Sequence, residues 1–319
     1  MTSSELTRAW AERGRRTTWE GLEVYTQTRG HRGRPALLFV HGYPTSSYDF
    51  HRVADLLEDE FFLCLVDLPG YGLSDKPRDH RYTIADDVRL VDELVRTTFA
   101  LDELTLVTHD RGDSVGLALL DHLQRHEAPY AVTGLVVLNG NVWLPLAQLT
   151  GIQKALLNPV TGPVVSRLLP ARVFARGLAR KTCTPMPDAA EVAALEGMLA
   201  HQGGMRVQHR LIQYLDERKA HESAWLAALG RSTVPTTLIW GGLDTIAPTR
   251  VADHVWETQL RDRPTPAAYW RVPAGNHYVQ LDQPEVVAGL LRLPAGSVPD
   301  RDVPGAVLRP RGPHGPGPG

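Results

Sequence analysis

The chain has 319 residues, 43% of them hydrophobic, enough for one large core or a core with a subdomain. Its 34 Lys and Arg nearly balance its 36 Asp and Glu, which argues against nucleic acid or an anionic membrane as partner, and no apolar run is long enough to span a bilayer. Two cysteines, Cys64 and Cys183, make no disulfide framework, and no His/Cys/Asp/Glu grouping has metal-ligand spacing, so no metal is expected.

Residues 1–16 are polar, lack the apolar stretch of a secretory leader, and are expected to be flexible; by default the location is cytoplasmic. Ala36 to Val40 is an apolar run without polar alternation, as a strand covered on both faces requires. Phe61 to Val66, Leu104 to Thr108, Gly134 to Leu138, Thr236 to Trp240 and Ala268 to Val272 read the same way, with Cys64 a buried small hydrophobe. Between them, Thr83 to Phe99, Val115 to Leu123 and Glu285 to Leu293 carry helical spacing. Strand and helix alternation predicts an α/β fold with a parallel sheet and helices on both faces, over residues 17–141 and 232–294. Residues 142–231 break it with a helical pattern punctuated by Pro and Gly, and read as a helical cap inserted between two strands. Residues 295–319 are rich in Pro, Gly and Arg and are expected to be disordered.

In a parallel sheet, ligand chemistry collects beyond the carboxyl ends of the strands. Each predicted strand end here carries polar residues: His41-Gly42-Tyr43-Pro44, Asp67 to Gly72, His109-Asp110, Gly241-Gly242-Leu243-Asp244 and Gly275-Asn276-His277. Gly112-Asp113-Ser114-Val115-Gly116 matches the Gly-x-Ser-x-Gly pattern of a serine nucleophile. A nucleophile must, however, turn directly off the strand. The run Leu104 to Thr108 leads straight into Asp110, whereas Ser114 falls about one helical turn further on. Asp110 is therefore the candidate nucleophile and Ser114 the alternative. The order nucleophile, acid, histidine then selects Asp244 and His277, with His277 as general base and Asp244 fixing its tautomer. The strand end at Asn139-Gly140-Asn141 offers no carboxylate to compete with Asp244. His41 and His109 read as loop scaffolding. Gly70 and Gly72 lack the third glycine of a dinucleotide loop, so no cofactor is expected.

These motifs, with Gly72 to Pro77, Leu211 to Tyr214 and His277 to Leu281, resemble the epoxide hydrolase and haloalkane dehalogenase branch of the α/β-hydrolase superfamily. The likeness is strongest to the mesoderm-specific-transcript-like proteins and covers most of residues 18–293. It implies an eight-stranded, mostly parallel sheet and a cofactor-independent hydrolase acting on a small electrophile. Asp110 would form an ester that a His277-activated water cleaves. By family position the backbone N–H groups of Tyr43 and Arg111 would form the oxyanion hole, and Tyr214 would donate to an epoxide oxygen. The Arg111 side chain invites a different reading, an anion clamp for a haloacid, although Ser114 stands where a second Arg would complete it. A dehalogenase, a Ser114 esterase and a non-catalytic binding scaffold are the alternatives to an epoxide hydrolase.

Overall fold

A computed structural model describes residues 3–310. Nine strands form one sheet: β1 (Arg15–Trp19), β2 (Leu22–Arg29), β3 (Ala36–Val40), β4 (Phe62–Val66), β5 (Glu103–His109), β6 (Ala131–Leu138), β7 (Thr236–Gly241), β8 (Ala267–Val272) and β9 (Val307–Leu308). Their order is β1-β2-β4-β3-β5-β6-β7-β8-β9. The six central strands run parallel, while β1, β2 and β9 pair antiparallel at the edges.

Period-two alternation divides the strand side chains between two cores. Leu38, Val40, Cys64, Val66 and Leu106 face one side. Leu37, Phe39, Leu63, Leu65 and Val107 face the other. Cys64 is fully buried, and burial pushes its thiol up to about 12, consistent with a small apolar residue.

The edges depart from expectation. β1 and β2 form a hairpin across Glu20-Gly21, both with positive φ, the geometry of a type I′ turn. Residues 3–13 form a helix whose Trp10 is buried against Tyr48 and whose Trp10 carbonyl accepts the Tyr25 hydroxyl. The amino-terminal segment is therefore packed, because one large aromatic outweighs its polar neighbours. The carboxyl-terminal segment, expected to be disordered, is tied down in part. Gly296 donates its N–H to Thr237 Oγ1 at 2.8 Å, and β9 adds the ninth strand on Trp270 and Arg271. The remainder of that expectation, residues 311–319, lies outside the described residues.

Between β6 and β7 the chain is helical, with helices Gly151–Leu157, Thr161–Leu168, Ala171–Thr182, Ala189–Ala200 and Tyr214–Arg231. The last is anchored to the helix Ile84–Glu93, where Glu217 accepts the Ile84 and Ala85 N–H groups at 2.7 and 3.2 Å. Those are orphan donors of a helix start, so the insertion is clamped where the core offers unpaired polar groups.

Candidate active site

Asp110 follows β5 directly and opens the helix Arg111–Leu123. Its φ of 50° and ψ of −106° place a non-glycine residue in a sparsely populated region, a conformation that persists only when its surroundings impose it. Two glycines make the room. A Cβ on Gly112 would meet the Val40 carbonyl at 2.1 Å, and one on Gly42 would meet the Asp110 Cβ at 2.6 Å. Thr108, bulkier than a tight turn favours, is put to use: its hydroxyl donates to Asp113 Oδ1 at 2.6 Å and pins the first helical turn.

Asp110 is buried, and one carboxylate oxygen accepts the Tyr43 N–H at 3.2 Å. Burial raises its pKa, opposed by the charges of His277 and Arg218 and by the Tyr43 hydrogen bond. His277, beyond β8, turns Nδ1 to Asp244 Oδ2 at 2.9 Å, which leaves Nε2 as the nitrogen free of that bond. Burial alone would lower the His277 pKa. The adjacent Asp244, with help from Asp110 and Asp113, overrides that and lifts it to about 9. Asp110 and His277 thus lie within electrostatic reach of each other.

Asp244 is fully engaged. Its Oδ1 accepts the N–H groups of Ile246 and Ala247 at 2.7 and 3.0 Å, and its Oδ2 accepts Asn139 Nδ2 at 2.8 Å beside His277. Asn139, at the end of β6, accepts the Gly241 N–H at 2.9 Å through its Oδ1. Sequence reasoning passed over Asn139 because it is not a carboxylate. It instead aims the carboxylate of the next strand. Its position directly after the apolar run Gly134 to Leu138 was the available signal.

The Arg111 guanidinium does not face the site as an anion clamp. It is fully buried and donates through Nε and Nη2 to Asp87 Oδ2 and through Nη2 to the Tyr82 carbonyl at 3.0 Å. A guanidinium so paired has no free edge for a substrate carboxylate, so that expectation is corrected. The partner is Asp87, 24 residues away in sequence, and invisible to local motif reading. The Arg111 backbone N–H remains at the helix start next to Asp110.

Arg218 was also missed. From the helix Tyr214–Arg231 it donates to Ser114 Oγ at 2.6 Å, the Asn141 carbonyl at 2.9 Å and the Asp110 carbonyl at 3.0 Å. Ser114 is on the helix, held by Arg218, and has no histidine partner among the described residues. Tyr214, one turn before Arg218, is buried between the Arg111 and Arg218 guanidinium groups, each 4.9 Å from its ring. Its phenol lies within electrostatic reach of the Asp110 carboxylate. Burial, then the Asp110 charge, push this phenol well above its ordinary pKa, so it stays protonated at neutral pH. His41 and His109 are scaffolding: His41 accepts the Leu68 N–H at 3.0 Å and contacts the Gly42 carbonyl, and His109 Nε2 contacts the His277 carbonyl at 2.9 Å. Burial lowers His41 to about 4 and holds His109 well below its ordinary range, so both are neutral.

A cavity of about 380 Å³ lies against these loops. Tyr43, Pro44, Ile246 and His277 line it from the strand ends, and Ile152, Phe174 and Leu178 from the helical insertion. Its walls are mostly apolar, which suits an apolar substrate with a few polar anchors. Among the described residues no three His, Cys, Asp or Glu side chains converge to hold a metal ion.

Comparison with known proteins agrees with this architecture. Residues 35–160 match the family model of the alpha/beta hydrolase fold. The chain is 35% identical over 289 residues to a Mycobacterium tuberculosis protein named as a hydrolase, LipZ, covering 90% of this chain and 97% of that one. It is 31% identical over 252 residues to the mesoderm-specific transcript protein of Mus musculus, covering 75% and 74%. The structure of a haloalkane dehalogenase variant from Bradyrhizobium elkanii superposes with a TM-score of 0.72 at 22% identity, over 87% of this chain and 94% of that one. The chain belongs to the α/β-hydrolase family and is a hydrolase of that fold. No helix among the described residues is long and apolar enough to cross a membrane.

Proposed function

We propose that the protein hydrolyses epoxides through a covalent ester on Asp110, with the helical insertion acting as a cap. The observation that carries this reading is Tyr214, buried between two guanidinium groups and within electrostatic reach of Asp110, in a site that also presents His277 and Asp244. One Asp110 oxygen attacks a ring carbon as the C–O bond breaks. Tyr214 gives its proton to the departing oxygen, and the flanking Arg111 and Arg218 charges stabilise the phenolate left behind. Esterification removes the Asp110 charge, one of the charges that raise His277, so the His277 pKa falls as the ester forms. His277 then takes a proton from water, and the resulting hydroxide attacks the ester carbonyl carbon. The Tyr43 and Arg111 N–H groups are the donors for the oxyanion, commonly worth about 3–4 kcal/mol each. Collapse releases the diol, with Tyr214 reprotonated from the imidazolium or from water.

With Arg111 consumed by Asp87, the haloacid reading loses its anion grip. With Ser114 held by Arg218, the esterase reading loses its nucleophile.

The test uses His277→Gln and a reactive aryl epoxide. Intact mass should rise by the mass of one epoxide, and peptide mapping should place it on Asp110. In wild-type single turnover in ¹⁸O-water, the label should enter the Asp110 carboxyl group rather than the diol. Label in the diol, with no adduct on the variant, would reject the ester. Tyr214→Phe should slow alkylation with little change in ester hydrolysis.

A further inference from the structure

The near-neutral charge of the whole chain conceals a segregation. Residues 128–187 contain no Asp or Glu and six cations: Lys154, Arg167, Arg172, Arg176, Arg180 and Lys181. All six are exposed, and none makes an ion pair among the described residues. The same stretch bears an exposed aliphatic row. Val160, Val164 and Leu168 recur every four residues along the helix Thr161–Leu168 and its start, at 78%, 55% and 72% exposure. Arg172, Arg176 and Arg180 recur with the same spacing along Ala171–Thr182. The two helices meet at Leu169 and Pro170, and Leu169 and the exposed Val173 both line the cavity beside His277. The cavity therefore reaches the surface where exposed aliphatics and unpaired cations lie side by side.

We propose that this face of the insertion docks on an anionic lipid bilayer, and that the cavity takes apolar substrate directly from it. The aliphatic row would sit at the acyl boundary while the arginines pair with lipid phosphates. A protein partner fits less well, because the exposed apolar residues are Val and Leu rather than the aromatics that anchor protein interfaces. The sign of the charge selects an anionic surface. The proposal goes beyond the epoxide reading and is tested without turnover.

The experiment sediments the full chain with phosphatidylcholine vesicles, with and without phosphatidylglycerol, at low and high salt. Binding is expected only with phosphatidylglycerol, and should weaken with salt. Arg172→Gln/Arg176→Gln/Arg180→Gln should reduce partition on the order of 100-fold, roughly a factor of five per cation. Val164→Ser/Leu168→Ser should reduce it at least several-fold. Arg8→Gln/Arg78→Gln/Arg301→Gln removes the same charge from exposed positions elsewhere and should cost little. Thermal melts and circular dichroism confirm that each variant is folded. No binding to anionic vesicles at low salt would overturn the proposal, as would an equal loss in the control triple. Binding to polyglutamate but not vesicles would assign the cations to an acidic protein. Self-association abolished by Val164→Ser/Leu168→Ser, without vesicle binding, would assign the aliphatic row to a second copy. Either result overturns the lipid proposal.

Discussion

Arg218 donates its Nε–H to Ser114 Oγ at 2.6 Å. The bond bears on two candidate nucleophiles that lie four residues apart. Under the proposed chemistry, Asp110→Ala should lower kcat/KM on the order of 10⁴-fold or more, as loss of a nucleophile does elsewhere. Ser114→Ala should keep the reaction within several-fold of wild type. It should still cost about 1–3 kcal/mol of stability, because it leaves a buried guanidinium N–H unpaired. Urea unfolding and steady-state kinetics on the same preparations separate the two effects. Greater loss of activity with Ser114→Ala than with Asp110→Ala would reverse the assignment.

Asn139 holds Asp244 from the side opposite the Ile246 and Ala247 amides. Asn139→Ala removes one hydrogen bond to a buried charged group, worth about 1.5–3 kcal/mol. If the interaction matters in the transition state, kcat should fall roughly 10- to 100-fold. Asp244 would remain beside His277, so the fold should survive. A change in the pH profile, measured alongside kcat, distinguishes altered orientation of the acid from a packing defect.

The Arg111–Asp87 pair is buried, with side-chain exposures of 0% and 2%. Arg111→Met should therefore destabilise the protein by about 3–5 kcal/mol, and the double variant with Asp87→Leu should recover much of the loss. Chemical denaturation measures both. An Arg111 acting as a substrate clamp would instead show a selective rise in KM for carboxylate substrates, with stability little changed.

His277 carries a folded-state pKa of about 9, above its ordinary 6.5. A raised histidine contributes stability that is fully present below about pH 6.5 and lost as pH rises through 9. The loss should not exceed about 3 kcal/mol, the equivalent of that shift. It should be smaller in Asp244→Asn, where the dominant raising charge is gone. Denaturation midpoints measured between pH 6 and 10 test this. In single-turnover kinetics, ester hydrolysis should titrate at a lower pH than the free enzyme, because esterified Asp110 no longer holds the proton on His277.

Trp10 anchors the first helix against Tyr48. Trp10→Ala should cost about 3–5 kcal/mol, the usual loss for a buried Trp. A loss below about 1 kcal/mol in urea unfolding would show the helix to be only loosely docked. Proteolysis near Arg13 should increase in the variant.

The central strands, the helical insertion and the positions of Asp110, Asp244 and His277 were legible from local pattern. A strand covered on both faces needs a continuous apolar run, and a residue leaving such a strand must appear at the sheet's carboxyl edge. The hairpin β1–β2, the docking of residues 3–13 and the edge strand β9 were not legible. Edge strands carry weaker apolar patterns, and Trp10 and Val307 acquire their roles only from partners distant in the chain. The charge balance conceals a distribution in a related way: the total is near zero, but the cations of residues 128–187 collect on exposed helices.

By itself, the order of residues determined that Asp110 follows a buried strand and that an acid and a histidine follow at later strand ends. Tertiary structure decided what surrounds them. It sent the Arg111 guanidinium to Asp87 rather than into the cavity, tied Ser114 to Arg218, and set Tyr214 against Asp110. It also brought Asn139 to Asp244. The physical reason is that buried charges must find partners wherever packing places them, and those partners here lie 24 to 105 residues away along the chain.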